Sequence, residues 1–232
     1  MFVDDLTELD VSPEDAHHLR DVLRLRPGAD VAAADGHGSW RACVLSGTRG
    51  SGRGPGVLEP AGPVTLAAPP APRLTVAFAL TKQDRPEWTV QKLTELGIDC
   101  IWPLLTARTV VQLHPDERVQ RAERLRRVAR AAAAQSRQVR LPEVAEPGSL
   151  SKALAALGDG ARHALLAEPG GGPMPPETSA VLVGPEGGWE PAEIACGLRL
   201  LDLGPLVLRS ETAAVLAGGL LSARRSGVTP GA

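Results

Sequence analysis

Hydrophobic and polar positions follow two different patterns along the chain, which predicts two structural parts. In the first part, short apolar runs at residues 31–34 and 40–45 are separated by turn-forming residues, a pattern typical of a strand-rich region. Residues 67–72, with the sequence Ala-Ala-Pro-Pro-Ala-Pro, are typical of a stiff linker. We therefore predict one domain over residues 1–68 and a second over residues 73–232.

Two local features are predicted within the first part. Ser12 has the side chain of a helix N-cap and Pro13 suits the first helical position, so a short helix is expected from there to about residue 25. The Gly-, Arg- and Ser-rich stretch at residues 47–56 is typical of a mobile hairpin tip.

In the second part, predicted strands and helices alternate, which is typical of a mostly parallel sheet covered on both faces. The predicted strands are residues 74–80, 101–105, 163–167, 181–184 and 206–208. The predicted helices are residues 86–96, 116–134, 191–200 and 212–225. Gly97 is the expected stop of the first helix. The fold class is therefore expected to be α/β.

Composition and charge are those of an ordinary soluble protein. The chain has 232 residues, of which 43% are apolar and 22% charged, with a formal net charge of -2. It has neither an apolar stretch of the roughly 18–20 residues that span a bilayer nor a recognisable export signal, so we expect a cytoplasmic protein. Cys43, Cys100 and Cys196 are odd in number and far apart, which predicts neither a disulfide framework nor a metal site.

A glycine-rich loop follows the predicted strand at residues 181–184. The loop sequence Gly-Pro-Glu-Gly-Gly at residues 184–188 opens a predicted helix, and glycines let the backbone approach a ligand closely. Its glycine spacing is neither that of a dinucleotide fingerprint nor that of a phosphate-binding loop. The loop is either a ligand-binding element or a tight turn that binds nothing.

Charged residues follow the predicted strand at residues 206–208. Arg209, Glu211 and Thr212 are expected at its carboxyl end, facing the same crevice as the glycine loop. The alternative is a structural ion pair together with a helix cap at Ser210 or Thr212.

A run of arginines occupies the predicted helix at residues 116–134 and the segment after it. Between residues 117 and 140, Glu117 and Glu123 are the acids that oppose it. One guanidinium group can bind two oxygens of a phosphate at once, so the run favours an RNA-binding surface. The alternative is a solvated helix face, which also carries charge of this kind. Its members are Arg118, Arg121, Arg124, Arg126, Arg127, Arg130, Arg137 and Arg140.

Together these motifs resemble those of a known family. The loop at 184–188, followed by Leu203-Gly204 and by Leu-Arg-Ser-Glu-Thr-Ala at residues 208–213, resembles the paired cofactor loops of the RsmE family. These bacterial enzymes methylate N3 of a uridine in 16S ribosomal RNA and belong to the SPOUT class of knotted methyltransferases. Residues 18–28 resemble the family's PUA-like domain, and the segments at 82, 91–97, 106–108 and 135–142 match in order. The sequence departs from the family pattern at Ala134 and at Arg137-Gln138.

The resemblance implies a fold and a cofactor. The fold would be an N-terminal PUA-like β-barrel followed by a SPOUT α/β trefoil-knot domain. The cofactor would be S-adenosyl-L-methionine, bound without metal, with Leu206 also on the apolar side of its site. The implied cofactor-binding residues are Leu182, Gly184, Pro185, Glu186, Gly187, Gly188, Leu203, Gly204, Leu208 and Thr212.

The implied chemistry needs a group that removes or compensates the uridine N3 proton, because uracil is a poor nucleophile while that proton is bound. Arg209 is the candidate for stabilising the uracil anion, and Glu186 or Glu211 for accepting the proton; the sequence does not choose between the two carboxylates. The candidate RNA-binding residues are Arg20, Arg24, Lys82, Lys92, Arg108, Arg130 and Arg137.

The implied partners are the 16S ribosomal RNA of the small ribosomal subunit and a second copy of the chain, with no membrane partner. The dimer interface is expected at the knot and at the helix over residues 212–225, where small residues would allow close helix approach. These are Ala213, Ala214, Ala217, Gly218 and Gly219. Two other functions stay open: a SPOUT methyltransferase acting elsewhere on ribosomal or transfer RNA, and a non-catalytic RNA-binding assembly factor.

Overall fold

The computed structural model describes residues 1–9, 11, 19, 24–46 and 57–228. The predicted helix from residue 12 lies outside these ranges for most of its length, and the predicted hairpin tip at 47–56 lies outside them entirely. The chain forms two compact units, Met1–Pro69 with Ala133–Leu141, and Pro70–Ala132 with Pro142–Ala232. The predicted division had placed the segment Ala133–Leu141 with the second domain.

The N-terminal unit contains an antiparallel sheet in which β1, β2 and β3 are neighbours and β4 pairs with β2. Its strands are β1 (Asp30–Ala34), β2 (Ser39–Ser46), β3 (Val57–Pro60) and β4 (Thr65–Leu66). The carboxylate of Asp35 accepts hydrogen bonds from the amides of His37 and Ser39, at 2.7 and 3.0 Å, and so fixes the turn between β1 and β2. The strand-rich pattern predicted for this part is confirmed.

The second unit is built on a parallel sheet with the strand order β10-β8-β9-β5-β6-β7. Its strands are β5 (Thr75–Ala79), β6 (Cys100–Leu104), β7 (Glu143–Val144), β8 (Ala164–Gly172), β9 (Ala180–Val183) and β10 (Arg199–Leu201). Its helices are α1 (Arg85–Glu95), α2 (Pro115–Gln135), α3 (Leu150–Leu157), α4 (Pro191–Ile194) and α5 (Ser210–Arg225). In the described part of the chain, no helix has the length and apolar content needed to cross a membrane.

Both faces of the sheet are buried, as the alternation of strands and helices predicted. Alternate residues of β5 and β9 point to opposite faces: Val76 and Val181 join a core with α1 and α5, whereas Ala77 and Leu182 join a second core that includes Trp189. All residues of β5 are buried, which explains why this strand reads as a continuous apolar run.

The small residues of α5 pack inside their own chain. Ala214, Ala217 and Gly218 are buried against the sheet and α1. A Cβ atom on Gly218 would lie 2.5 Å from Cδ2 of Leu93, which is closer than packed carbon atoms approach. The close helix approach that these three residues permit is therefore with α1, and a dimer interface on this helix stays a prediction.

Two elements of the predicted pattern near the C-terminus are wrong. The helix predicted over residues 191–200 is instead the short helix α4, followed by strand β10, and Gly197 between them has φ +88°, outside the helical region. The strand predicted at residues 206–208 is a loop in which Leu206 is 76% exposed and Val207 93% exposed. Pro205 precedes this stretch and carries no N–H for a strand ladder, and β10 holds the position beside β8.

The helix cap at Ser210 or Thr212, which was the alternative to a ligand-facing role, does not form. The N-cap of α5 is Arg209, and no side chain accepts a capping hydrogen bond there. Helix α3 was not predicted, although Ser149 is its N-cap and accepts a hydrogen bond from the amide of Lys152 at 3.3 Å. Its run of Ala and Leu lacks the charged face that would have distinguished a helix from a loop.

Candidate active site

A cavity of about 310 Å³ lies beside β8, where β9 and β10 end. Its walls are the loop after β9 and the longer loop that joins β10 to α5, the location at which open parallel sheets bind ligands. The volume falls in the range of about 300–1,000 Å³ that small-molecule sites occupy. The lining residues are Ala167, Glu168, Pro169, Val183, Gly184, Pro185, Glu186, Gly187, Gly188, Trp189, Leu201, Asp202, Leu203, Gly204, Leu206, Val207, Leu208, Ser210 and Ala213.

The first wall depends on the pairing of Gly184 with Trp189. A Cβ atom on Gly184 would lie 2.8 Å from the Trp189 ring, so the buried ring can pack there only against a glycine. The indole Nε1 donates a hydrogen bond to the carbonyl of Ala167 at 3.0 Å. The loop then turns at Gly188, which has φ +74° and donates its amide hydrogen to the carbonyl of Pro185 at 2.8 Å.

Arg108 braces this loop from outside. Its Nη1 donates to the carbonyl of Gly187 at 2.8 Å, and its Nε lies 2.7 Å from Oε1 of Glu190. The neighbouring amide of Ala107 donates to Glu193 at 3.0 Å. Arg108 thus supports the glycine loop, and its role as an RNA contact stays a prediction.

The second wall is apolar with one carboxylate at its base. The amide of Gly204 donates to Oδ1 of Asp202 at 2.8 Å, which holds the start of the loop. Leu203, Leu206 and Leu208 all line the cavity, as the resemblance implied.

The residues of the cavity fit S-adenosylmethionine. The Leu residues suit the faces of an adenine ring, and carboxylates such as Asp202 suit hydroxyl or ammonium groups. Ser210 is buried and lines the cavity, and its Oγ has no hydrogen-bond partner among the described residues. An unpaired buried hydroxyl is costly, so a ligand that pairs with it is favoured.

An ion cluster of Arg85 with two carboxylates adjoins the cavity through Glu186, which lines it. Arg85 lies between them, with Nη1 3.5 Å from Oε1 of Glu186 and Nε 3.6 Å from Oε1 of Glu211. The side chain of Glu186 is 44% exposed and that of Glu211 only 12%. Sequence reasoning missed Arg85, because about a hundred residues separate it from Glu186 and no local motif marks it.

The fold brings most of the predicted cofactor residues together. Leu182 is an exception: its side chain faces the other side of the sheet from Val183 and lines a different cavity of about 230 Å³. Thr212 and Arg209 are exposed and do not line the candidate cavity. The predicted residues that do line it are Gly184, Pro185, Glu186, Gly187, Gly188, Leu203, Gly204 and Leu208.

The predicted RNA-binding residues lie in varied surroundings. Arg20 is outside the described ranges, Arg24 and Lys82 are exposed, and Nζ of Lys92 pairs with Oε2 of Glu95 at 2.7 Å. Arg130, on α2, is half-buried and Arg137 is exposed. These residues stay predictions as RNA contacts.

Part of the arginine run serves the fold. Arg121 and Arg124 reach Glu87 of α1 at 3.1 and 2.8 Å, so acids from another element oppose the run as well as those within it. Arg126 donates to the carbonyl of Val144 at 3.0 Å, and Arg140 to that of Ala67 at 2.7 Å. These arginines neutralise or cap neighbouring groups of the protein, which leaves fewer for phosphate.

Family models and known proteins match both parts of the chain. An RNA methyltransferase domain model matches residues 69–222, and an RNA methyltransferase PUA domain model matches residues 11–51. Ribosomal RNA small subunit methyltransferase E of Mycobacterium bovis is 31% identical over 224 residues, which cover 90% of this chain and 84% of that protein.

Two solved structures share the fold across nearly the whole chain. A methyltransferase from Legionella pneumophila in complex with the bound cofactor SAM is 27% identical, with a TM-score of 0.79 over 92% of this chain and 90% of that chain. Ribosomal RNA small subunit methyltransferase E from Neisseria gonorrhoeae, bound to S-adenosyl methionine, is 23% identical with a TM-score of 0.81 over 96% of each chain. The chain therefore belongs to the RsmE family of ribosomal RNA small subunit methyltransferases.

Proposed function

We propose that this chain transfers the methyl group of S-adenosylmethionine to N3 of a uridine in 16S ribosomal RNA of the small ribosomal subunit. The observation that carries the proposal is the cavity between the glycine loop and the loop from β10 to α5. Its relatives named ribosomal RNA small subunit methyltransferase E supply the substrate class. Such an enzyme works in the cytoplasm, where ribosomal subunits are assembled.

The residues of the cavity hold the cofactor. Backbone groups at residues 184–188 and 203–208 and the hydroxyl of Ser210 supply hydrogen bonds, and the Leu side chains cover the apolar surface of the ligand. The bound cofactor supplies a methyl group on a positively charged sulfur, which needs no metal to leave. The protein's contribution is to align the uridine N3 with that methyl group.

The uridine reacts only when its N3 proton is removed. The proton passes to a carboxylate at the rim, the N3 electron pair forms the bond to the methyl carbon, and the carbon–sulfur bond breaks with its electron pair left on sulfur. Of the two carboxylates named as candidates from the sequence, Glu186 lines the cavity, and Glu211 is joined to Glu186 through Arg85. The target uridine has to be unstacked to reach this rim, which favours a loop or single-stranded segment.

The path of the C-terminal segment supports a trefoil knot in the second domain. Strand β10 lies at one edge of the sheet, yet α5, which follows it, packs on β5 and β9 near the middle and on α1. The chain between them forms the second wall of the cavity against the glycine loop. We infer that threading of this segment keeps the two cofactor loops together.

We assign RNA positioning to the domain at residues 1–68 and methyl transfer to the domain at residues 73–232. The match of a methyltransferase PUA domain model to residues 11–51 supports the first role. The position of all cavity residues beyond residue 160 supports the second.

Methylation in vitro tests the proposal. The purified chain is incubated with S-adenosylmethionine carrying a deuterated methyl group and with either 16S ribosomal RNA, small ribosomal subunits or transfer RNA, and the nucleosides are analysed by mass spectrometry. The expected product is deuterated 3-methyluridine from 16S ribosomal RNA. Label in another nucleoside or in transfer RNA would indicate a different methyltransferase, and binding of RNA without any label would indicate a non-catalytic factor.

A further inference from the structure

The ion cluster at the rim of the cavity assigns different roles to its three members. We propose that Glu186 accepts the uridine N3 proton and that Arg85, anchored on Glu211, is the residue that positions Glu186. The inference rests on the proposed methyl transfer and specifies which residues of the same site perform it. It also transfers the role of the cation from Arg209 to Arg85, which pairs with the cavity-lining Glu186.

Exposure separates the two carboxylates. Glu186 lines the cavity, and its half-exposed side chain is open to an incoming base. Glu211 does not line the cavity, and its Oε2 is buried without a hydrogen-bond partner in the described part of the chain. A group that has to receive a proton from substrate and pass it to water needs the accessibility that Glu186 has.

Burial gives Glu211 the role of an anchor. A carboxylate that is mostly removed from water is stabilised by a nearby cation, and the guanidinium of Arg85 is that cation, 3.6 Å away. The other side of the guanidinium is then directed to Glu186 at 3.5 Å. Arg85 therefore links a rigid helix residue, Glu211 in the first turn of α5, to a loop residue at the mouth of the cavity.

The position of Arg85 is itself fixed from a third element. Arg85 begins α1, and the residues around it are held by α2: Arg124 pairs with Asp84 at 3.2 Å and with Glu87 at 2.8 Å. Arg121 adds a second contact to Glu87 at 3.1 Å. The largely buried carboxylate of Glu87 thus links the start of α1 to α2, and this link places Arg85 beside Glu186.

Arg209 lacks these properties. It is the N-cap of α5, its side chain is exposed, and it does not line the cavity. A cation exposed to water stabilises charge weakly, because solvent screens it.

Five substitutions in the full-length chain test the assignment, each checked for folding by thermal unfolding. They are Glu186→Gln, Glu211→Gln, Arg85→Gln, Arg85→Lys and the control Glu177→Gln. Glu177 forms an exposed ion pair with Arg199 at 2.9 Å, and neither residue lines the cavity. Glu177→Gln therefore makes the same chemical change, the loss of a carboxylate from an ion pair, away from the site. For each variant, kcat for RNA methylation is measured together with the Kd of S-adenosylmethionine by calorimetry.

Glu186→Gln is expected to lower kcat by about 100-fold or more, the usual contribution of a general base. Glu211→Gln is expected to lower kcat by about tenfold or less, which corresponds to a rise of at most about 1.4 kcal/mol in the activation barrier. Arg85→Gln is expected to lower kcat by about 10- to 100-fold through misplacement of Glu186, and Arg85→Lys to recover most of that loss. The Kd should change by less than about threefold in both Arg85 variants, and Glu177→Gln should match the unaltered chain.

Three results would overturn the inference. A greater loss of kcat in Glu211→Gln than in Glu186→Gln would make Glu211 the proton acceptor. Equal losses of kcat and cofactor affinity in Arg85→Gln, or no recovery with Lys, would make Arg85 a binding or merely structural residue. Failure of the unaltered chain to methylate RNA would instead refute the proposed function, whatever the variants do.

Discussion

Gly184 and Trp189 pack directly against each other in the first wall of the cavity. The indole ring occupies the space that any larger residue at 184 would need, and its Nε1 hydrogen bond to Ala167 fixes the ring against β8. The sequence suggested that Gly184 is glycine in order to admit a ligand, whereas in the structure it is glycine because the Trp189 ring packs against it. The ligand-facing surface that results is formed by the backbone of the loop and by the neighbouring Leu side chains.

Gly184→Ala should therefore disturb both stability and cofactor binding. The new methyl group would lie 2.8 Å from the ring, and overpacking of this kind costs about 1–3 kcal/mol. Unfolding in denaturant and calorimetric titration with S-adenosylmethionine measure the two effects. Gly187→Ala is the control for stability, because its methyl group would meet Arg108 at an ordinary 3.6 Å; equal stabilities of the two variants would contradict the packing account.

Cys100 should be an unreactive thiol. It lies in β6, where burial, with the Glu143 carboxylate nearby, raises the pKa of the thiol to about 11. At pH 8 about one thiol in a thousand would then be ionised, and the thiolate is the reactive form. In a titration with a thiol reagent at pH 8, the half-buried Cys196 should react before Cys100. A Cys100 that is modified in the folded protein as fast as Cys196 would contradict this expectation.

At the scale of elements, α5 packs directly on α1 in the second unit. Gly218→Ala would place a methyl group 2.5 Å from Cδ2 of Leu93, and we expect a loss of about 1–3 kcal/mol in unfolding free energy. Gly219→Ala is the matched control, because nothing lies within 4 Å of its new methyl group. That control should keep or raise the stability by up to about 1 kcal/mol, since Ala favours a helix over Gly. Equal destabilisation by both would contradict the packing of α5 on α1.

Helices and strands with a strong apolar periodicity could be predicted from the sequence. Short strands, which form only if a neighbouring strand is free to pair with them, could not. The helix at Pro115–Gln135 and the buried strand at Thr75–Ala79 follow from apolar spacing alone. The run at residues 206–208 has the composition of a strand, but β10 already pairs with β8 and the run stays in a loop. Short apolar runs do not distinguish these outcomes, because a strand is stabilised by the neighbour that it pairs with.

The candidate site was predictable to the extent that it follows the two loop motifs. Glu186 and the glycines around it line the cavity because they are consecutive in the loop. Arg85 was not predictable, because its contacts with Glu186 and Glu211 arise where α1, the glycine loop and α5 meet in the fold.

At the scale of the whole molecule, we expect a homodimer formed through the outer face of α5. Leu216 and Leu220 are each 37% exposed, one turn apart on the side of the helix that does not pack on α1. Leu216→Glu should convert a dimer into a monomer, as measured by sedimentation at micromolar concentration, because the charge would be buried in the interface. Val119→Glu on α2, also exposed in the single chain, is the control and should stay dimeric. A monomeric unaltered chain would refute the expectation.

The central claim is that this chain methylates N3 of a uridine in small-subunit ribosomal RNA from a cofactor held between two loops. The most direct test is quantitative mass spectrometry of nucleosides in 16S ribosomal RNA from cells with the gene, cells without it, and cells without it that carry the Glu186→Gln copy. We predict that 3-methyluridine in this RNA disappears when the gene is removed, returns with the unaltered copy and stays at or near background with the variant. Undiminished 3-methyluridine in cells that lack the gene would contradict the account.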